Sequence, residues 1–424
     1  MEYLIIGNSA AAVGAVEGIR QTDKKGKIVV VSNERYSLYS RPLITYLLAG
    51  QVDESKMYYG GRRIYDKYNV EEILGMEVVA IHPGEKEVVL SNGAAIAYNK
   101  LLIATGGLPI LPDVEGKELA GVFTFTTWDD AKRVNEFIEK NRVGGALVVG
   151  GGLIGLKTAE ALVARGIKVT IVELADRILS ATFDRRASEI VERAVREKGC
   201  ELKTRNTVSK IIGKERVQVV ILQDGTEVNC QLVIFAIGVT PNTELARRAG
   251  IKVRKGILGD DRMRTNLSDI YAAGDVVEAY DLVMSTNRQL AIWPNAYVQG
   301  NIAGRNMAGK IDKYEGSFAM NSVEICGVPT ISIGLTDPKE DGYEILERCD
   351  EAQRTYKKIV LKDDIIVGAI FVNNIDRAGV FTGLMKNRVN VRLFKNALLR
   401  EDFGLVWLPE KFRKHMVAGE GIEV

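Results

Sequence analysis

One unit occurs twice in this chain: an apolar strand that runs into a glycine-bearing turn and then into a helix of small residues. Tyr3-Leu4-Ile5-Ile6 leads into Gly7-x-Ser9-x-x-Ala12, and Ala146-Leu147-Val148-Val149 leads into Gly150-x-Gly152-x-x-Gly155. A strand that must turn at once into a helix needs glycine where the backbone bends and where it approaches a ligand closely. The helix that follows presents oriented N–H groups suited to a pyrophosphate. Duplication of the unit restricts the fold to α/β, with two Rossmann-like dinucleotide-binding domains and chain left over for a third.

Each unit continues as a βαβ arrangement expects. Lys27–Val31 reads as the second strand of the first unit, with Glu34 just beyond it. Lys168–Val172 is its counterpart, with Glu173 at the end. An acid in that place accepts the adenosine ribose hydroxyls of a dinucleotide. No basic residue directly follows Glu173, although Arg177 lies four positions later, so NADH is favoured over NADPH at the second site. Further apolar runs close the units: Leu101–Gly107 ends in glycines, Leu232–Gly238 ends in Gly238-x-x-Pro241, and Ile270–Asp275 precedes a helix-like segment from Trp293 to Met307. The expected organisation is a discontinuous first domain (residues 1–113 and 240–310) with an inserted second domain (114–239). A C-terminal α+β interface domain (311–424) follows, where short alternating strands replace the parallel pattern and a basic tail ends the chain.

Composition narrows the chemistry. Lys plus Arg number 57 against 55 Asp plus Glu, a net charge of +2, so the basic excess of a nucleic-acid binder is missing. His82 and His415 are the only histidines, too few for a multi-histidine metal centre, and no metal site is expected. Cys200, Cys230, Cys326 and Cys349 show no close pairing, which points to reducing cytoplasm and to buried small hydrophobes. The N-terminus lacks a basic n-region, and no uncharged run reaches the roughly 20 residues of a membrane helix. The hard chemistry therefore falls to a bound cofactor.

The ordered set Gly7-Asn8-Ser9, Arg41-Pro42-Leu43, Ala104-Thr105-Gly106, Gly150-x-Gly152-x-x-Gly155, Gly238 and Tyr271-Ala272-Ala273-Gly274-Asp275 resembles the two-dinucleotide-binding flavoprotein reductases. These are pyridine nucleotide–disulfide oxidoreductase relatives such as rubredoxin and ferredoxin reductases. The resemblance is good over residues 1–310 and looser beyond. It implies FAD along the first unit, held by Gly7, Ser9, Ala10, Ala12, Glu34, Arg41, Pro42, Val79, Ala104, Thr105 and Gly106. Gly274, Asp275, Pro294 and Ala296 complete that site, with Asp275 at the ribitol–pyrophosphate link. It implies NADH on Gly150, Gly152, Leu153, Ile154, Gly155, Glu173 and Gly238, its nicotinamide stacked on the flavin.

Two departures from the family shape the functional expectation. No cysteine precedes Cys200, so the thiol relay of disulfide and peroxide reductases is not expected. Relatives often pair a Lys shortly after Arg-Pro with a Glu two residues beyond the last fingerprint glycine; here Thr45 or Tyr46 and Lys157 stand in those places. Lys157 is the catalytic candidate, as a cation that favours negative charge on reduced flavin; the plain alternative is an i, i+3 pair with Glu160. The expected activity is NADH-dependent hydride transfer to flavin and exchange of electrons with a ferredoxin- or rubredoxin-type iron–sulfur carrier. The alternatives are an NADH oxidase and a non-catalytic flavoprotein subunit of a larger complex. Lys386, Arg388, Arg392, Lys395, Arg400, Lys411, Arg413 and Lys414, opposed in sequence only by Glu401, Asp402 and Glu410, suit an acidic carrier or else the rim of a homodimer interface.

Overall fold

The computed structural model describes residues 1–409. Two parallel five-stranded sheets carry the duplicated units. In the first, Glu2–Ile6 lies at the centre, paired with Lys27–Ser32 on one side and Lys100–Ile103 on the other. Val70–Leu74 and Ile270–Ala272 form the edges, so a strand from late in the chain completes the first sheet. The second sheet repeats the plan: Gly145–Val149 lies between Lys168–Glu173 and Leu232–Phe235, with Glu201–Thr204 and Val122–Thr124 outside. The central strands are apolar runs rather than alternating ones because helices cover both faces of a parallel sheet. A two-stranded antiparallel link, Gly107–Pro109 with Val239–Pro241, joins the two folds where the chain leaves the first and returns to it.

The first helix, Ala10–Thr22, packs on the late helix Trp293–Met307 through small residues on both. A Cβ at Gly14 would stand 2.2 Å from the Tyr297 carbonyl oxygen, and one at Gly300 would stand 2.0 Å from that of Ala11. Gly18 and Gly304 are equally tight, against the carbonyls of Asn301 and Ala15. Only backbone fits between these helices, so the glycine spacing fixes how deeply Trp293–Met307 sits against the first unit.

The third domain is a five-stranded antiparallel sheet with the helix Ala378–Lys386 on one face. Its strands obey a period of two. Ile359, Leu361, Ala369 and Phe371 point into a core of their own with Phe381, Phe394 and Phe403. The alternate residues Tyr356, Ile370 and Val372 join the core of the second domain, with Leu156, Ala159 and Val191. Lys358 shares that inner face, and its Nζ lies 2.8 Å from Asp184 Oδ2 while the side chain is only 5% exposed. The third domain is thus fastened to the second parallel-sheet fold by apolar contact and by a buried ion pair.

Among the basic residues of the tail, Lys395 reaches Glu344 at 2.8 Å and Asp364 at 3.3 Å, and Arg400 reaches Asp402 at 2.8 Å. The sequence count of opposing acids is too low here, because Glu344 and Asp364 come from neighbouring strands and turns. Lys386, Arg388 and Arg392 are exposed. Lys411, Arg413 and Lys414 lie outside the described residues.

Candidate active site

The strand–turn–helix geometry is strict at both units. Gly7 has φ +109°, and a Cβ there would stand 2.1 Å from the Ala104 carbonyl oxygen. Gly150 has φ +113° and would meet the Ala236 carbonyl at 2.5 Å. Gly155 would meet the Gly150 carbonyl at 1.9 Å, whereas nothing lies within 4 Å of a Cβ at Gly152. Gly155 is therefore needed for packing, and Gly152 leaves open space at the turn.

The first helix starts after Ser9 and the helix Leu153–Ala164 after Gly152, and neither start receives a side-chain cap. Trp128–Lys140 and Arg185–Glu197, by contrast, are capped by Thr127 and Asp184. The donors left free at the two glycine turns are what a pyrophosphate satisfies. Together with the cradles described above, they fit two dinucleotides.

Around the first turn the predicted residues converge from distant parts of the chain. A Cβ at Gly274 would touch Ala11 and Ala296, so the 274–275 turn, the first helix and the start of the late helix meet at one point. The Gly274 N–H donates to Gln299, and Gln289 donates to the Asp275 carbonyl. Burial raises the pKa of the Asp275 carboxyl, opposed by the charge of Arg41. For Arg41 burial works against the charge and is outweighed by Tyr39 and Glu34, so its pKa is raised. Arg41 binds one Glu34 oxygen and donates to the Thr126 carbonyl at 2.9 Å, and Tyr39 donates to the other Glu34 oxygen at 2.6 Å. Pro42 stands exposed beside Arg41, and Thr105 donates to the Asn242 carbonyl at 2.8 Å, beside Gly106 in the left-handed region. Val79 occupies the irregular position between Val78 and Ala80 in its hairpin and is 41% exposed.

Sequence reasoning missed Tyr39, Thr126 and Trp128, whose backbone N–H donates to the Tyr39 hydroxyl. Tyr36 stacks on Trp128 with ring centroids 4.2 Å apart. These contacts join residues about ninety positions apart, and only the aromatic content of residues 36–39 hints at them.

At the second turn Glu173 accepts from the Gly151 N–H at 2.6 Å and from the Ala175 N–H at 2.7 Å, which holds its carboxylate against the fingerprint loop. Ile154, at the start of the helix Leu153–Ala164, is 42% exposed, and Gly238 has φ +108° with open space around it. Lys157 lies 2.7 Å from Glu160, donates to the Glu324 carbonyl at 3.2 Å, and stands 5.5 Å from the centroid of the Tyr46 ring. The two positions that relatives fill with an ion pair do face each other, but here as a cation over an aromatic ring. Burial pushes the thiols of Cys200 up to about 11 and of Cys230 and Cys326 up to about 12, so they are poor thiolates.

Residues 1–300 match the model of the pyridine nucleotide-disulphide oxidoreductase family. The chain belongs to that family. Residues 320–389 match the rubredoxin NAD+ reductase C-terminal domain. The NADH-dependent phenylglyoxylate dehydrogenase subunit epsilon of Aromatoleum evansii is 31% identical over 393 residues, 92% of each chain. Two solved structures are similar throughout. An NAD-dependent persulfide reductase from A. fulgidus has TM-score 0.88 and 28% identity, covering 94% of this chain and 79% of that one. The covalent putidaredoxin reductase–putidaredoxin complex has TM-score 0.84 and 26% identity, covering 92% and 94%. The protein is an FAD- and NAD(P)H-dependent oxidoreductase with two Rossmann-like domains and a C-terminal domain. No helix of the described residues is long and apolar enough to cross a membrane, and among them no cluster suited to a metal ion occurs.

Proposed function

We propose that the chain oxidises NADH and passes the electrons from FAD directly to an acidic iron–sulfur carrier protein in the cytoplasm. The observation that carries this reading is the pairing of a third domain of the rubredoxin-reductase type with an FAD half that has no cysteine before Cys200. Bound FAD supplies a ring that takes up two electrons as hydride and releases them singly. The chain supplies position. Gly7, Ser9, Ala10 and Ala12 offer backbone to the FAD pyrophosphate; Glu34 serves the adenosine ribose, and Val79 flanks the adenine. Arg41 and Pro42 border the cleft, Ala104, Thr105 and Gly106 line its floor, and Asp275 with Gly274, Pro294 and Ala296 holds the ribitol end. Gly150, Gly152, Leu153, Ile154 and Gly155 seat NADH, Glu173 takes its ribose hydroxyls, and Gly238 leaves room for the nicotinamide half.

Glu34 accepts from Arg41 on one oxygen and from Tyr39 on the other, and each oxygen keeps a further lone pair for a ribose hydroxyl. Lys157, held by Glu160 and the Glu324 carbonyl and standing over Tyr46, touches residues of all three domains and adds a partly neutralised positive charge. Lys386, Arg388 and Arg392 are exposed in the same segment as Leu393, which is 87% exposed, and basic and apolar surface together suit an acidic partner.

Anaerobic stopped-flow with NADH and an acidic ferredoxin or rubredoxin tests the reading. Carrier reduction is expected to slow as ionic strength rises from about 0.01 to 0.1 M, over which the Debye length shrinks from about 30 to 10 Å. Flavin reduction by NADH is expected to stay constant. Reversal of Lys386, Arg388 and Arg392 to Glu should slow only the carrier step; equal loss with a small neutral acceptor would assign the segment to folding or dimerisation. A second reading, the NADH-facing subunit of a larger dehydrogenase, is favoured by the near full-length match to a subunit epsilon. Co-purification of the untagged native protein with partner subunits distinguishes it.

A further inference from the structure

Arg177 is the nearest basic residue in sequence after Glu173, yet the fold ties it elsewhere. The loop that carries it wraps the fingerprint turn: Ala175 N–H donates to Glu173, Leu179 N–H donates to the Gly151 carbonyl, and an Ile178 methyl would lie 2.8 Å from a Cβ at Gly151. Within that loop the Arg177 side chain is only 13% exposed, with one Nη 2.9 Å from Asp176 and the other 2.9 Å from Asp337. The second Nη also donates to the Phe183 carbonyl, and the buried Nε has no partner among the described residues. Asp337 belongs to the third domain. It also binds Lys339 at 2.6 Å and lies 4.0 Å from Lys358, the lysine paired with Asp184.

We infer that Asp337 is a determinant of nucleotide specificity: by holding Arg177 against the third domain, it withholds from the adenosine end the cation that a 2′-phosphate requires. The inference rests on the assignment of Glu173 to the ribose hydroxyls. An NADPH phosphate entering there meets the Glu173 carboxylate, while Asp176 is already bound by Arg177 and Arg185 and the second Nη of Arg177 is committed to Asp337 of the third domain. A 2′-phosphate is recognised by bidentate hydrogen bonds from arginine, so an arginine whose two Nη atoms are already taken contributes little. Specificity against NADPH is then set by a residue far away in sequence that touches neither cofactor, which makes Asp337 a positioning residue.

The test compares kcat/KM for NADH and NADPH in the flavin-loaded full chain for Asp337→Ala, Arg177→Leu and the double variant. Asp337→Ala is expected to raise kcat/KM for NADPH by about tenfold, chiefly through KM, and to leave NADH within about twofold. In the Arg177→Leu background the same change should produce no gain. A gain that persists in the double variant would overturn the inference and assign the effect to loss of negative charge or to Arg205, whose backbone N–H donates to the Ala175 carbonyl on the same loop. No gain in Asp337→Ala, with the melting temperature unchanged, would overturn it as well. If the variant melts early, Asp337→Val, which keeps a branched side chain but no acceptor for Arg177, repeats the comparison under the same criteria. Glu173→Gln is the control for the underlying assignment: if it leaves KM for NADH unchanged, the ribose reading fails whatever Asp337 does.

Discussion

The two nucleotide folds share one plan and differ in what holds their acidic residues. Glu173 is fixed by backbone N–H groups of its own fingerprint loop, whereas Glu34 is fixed by the side chains of Arg41 and Tyr39. They also differ at the last fingerprint position. Gly155 is required because any Cβ would strike the Gly150 carbonyl, while Ala12 fits fully buried in the corresponding helix. In the first fold the closest helix approach has moved to Gly14 and Gly18, against the late helix. The glycines of the first helix thus serve contact with another helix, whereas Gly155 serves contact with its own turn.

The largest effect should come from the first turn. Gly7→Ala places a side chain on a carbonyl at positive φ, and is expected to cost about 3 kcal/mol or more and to abolish flavin binding, read from the visible absorbance of purified protein. Gly155→Ala should leave the protein yellow and raise KM for NADH at least about tenfold. Yellow Gly7→Ala protein would remove the proposed equivalence of the turns.

A contrast of the two acids follows in size. Glu173→Gln should lower kcat/KM for NADH by about tenfold, near 1.4 kcal/mol, with flavin retained. Glu34→Gln should leave KM for NADH unchanged and speed flavin dissociation, followed by fluorescence of released FAD. Equal effects of both variants on both cofactors would end the separation into two sites.

Asp275 sharpens the comparison through pH. Its folded-state pKa is raised by burial, so the flavin-free native state holds the proton more tightly than the unfolded chain. Stability then falls as pH rises from the ordinary carboxylate range through the raised value, and the charge is a net cost at neutral pH. Flavin-free Asp275→Asn should melt higher than flavin-free wild type at neutral pH, a difference that disappears near about pH 3, while it retains FAD less well. A lower melting temperature at neutral pH would show that the carboxylate stabilises the empty fold.

Lys157→Met should have the smallest effect. Because Glu160 already neutralises much of the charge, the two-electron midpoint potential is expected to fall by less than about 30 mV, or 1.4 kcal/mol for two electrons. A larger fall in spectroelectrochemical titration would return Lys157 to the role of principal electrostatic partner of the flavin.

Much of this molecule is legible in its residues because the constraints are local. A turn that admits only glycine, an acid at a strand end and an apolar run bounded by glycines act over a few positions, and these located both nucleotide folds, Glu173 and the late strand ending at Gly274-Asp275. The hairpins that turn at Ser91-Asn92-Gly93 and Asp363-Asp364 are local in the same way, since turn geometry is set by adjacent residues.

Tertiary structure decided the commitments of the charged side chains. Whether Arg177 faces a nucleotide or Asp337 and whether Lys395 is a docking charge or the partner of Glu344 depend on groups 160 and 51 residues away, and even the Glu34–Arg41 pair, seven residues apart, spans a loop rather than one helix turn. Long charged side chains reach several neighbours at similar local cost. Apart from pairs within one helix turn such as Lys157–Glu160, the partner is chosen by which carboxylate the packed strands and helices place within about 3 Å, a distance that sequence spacing does not encode.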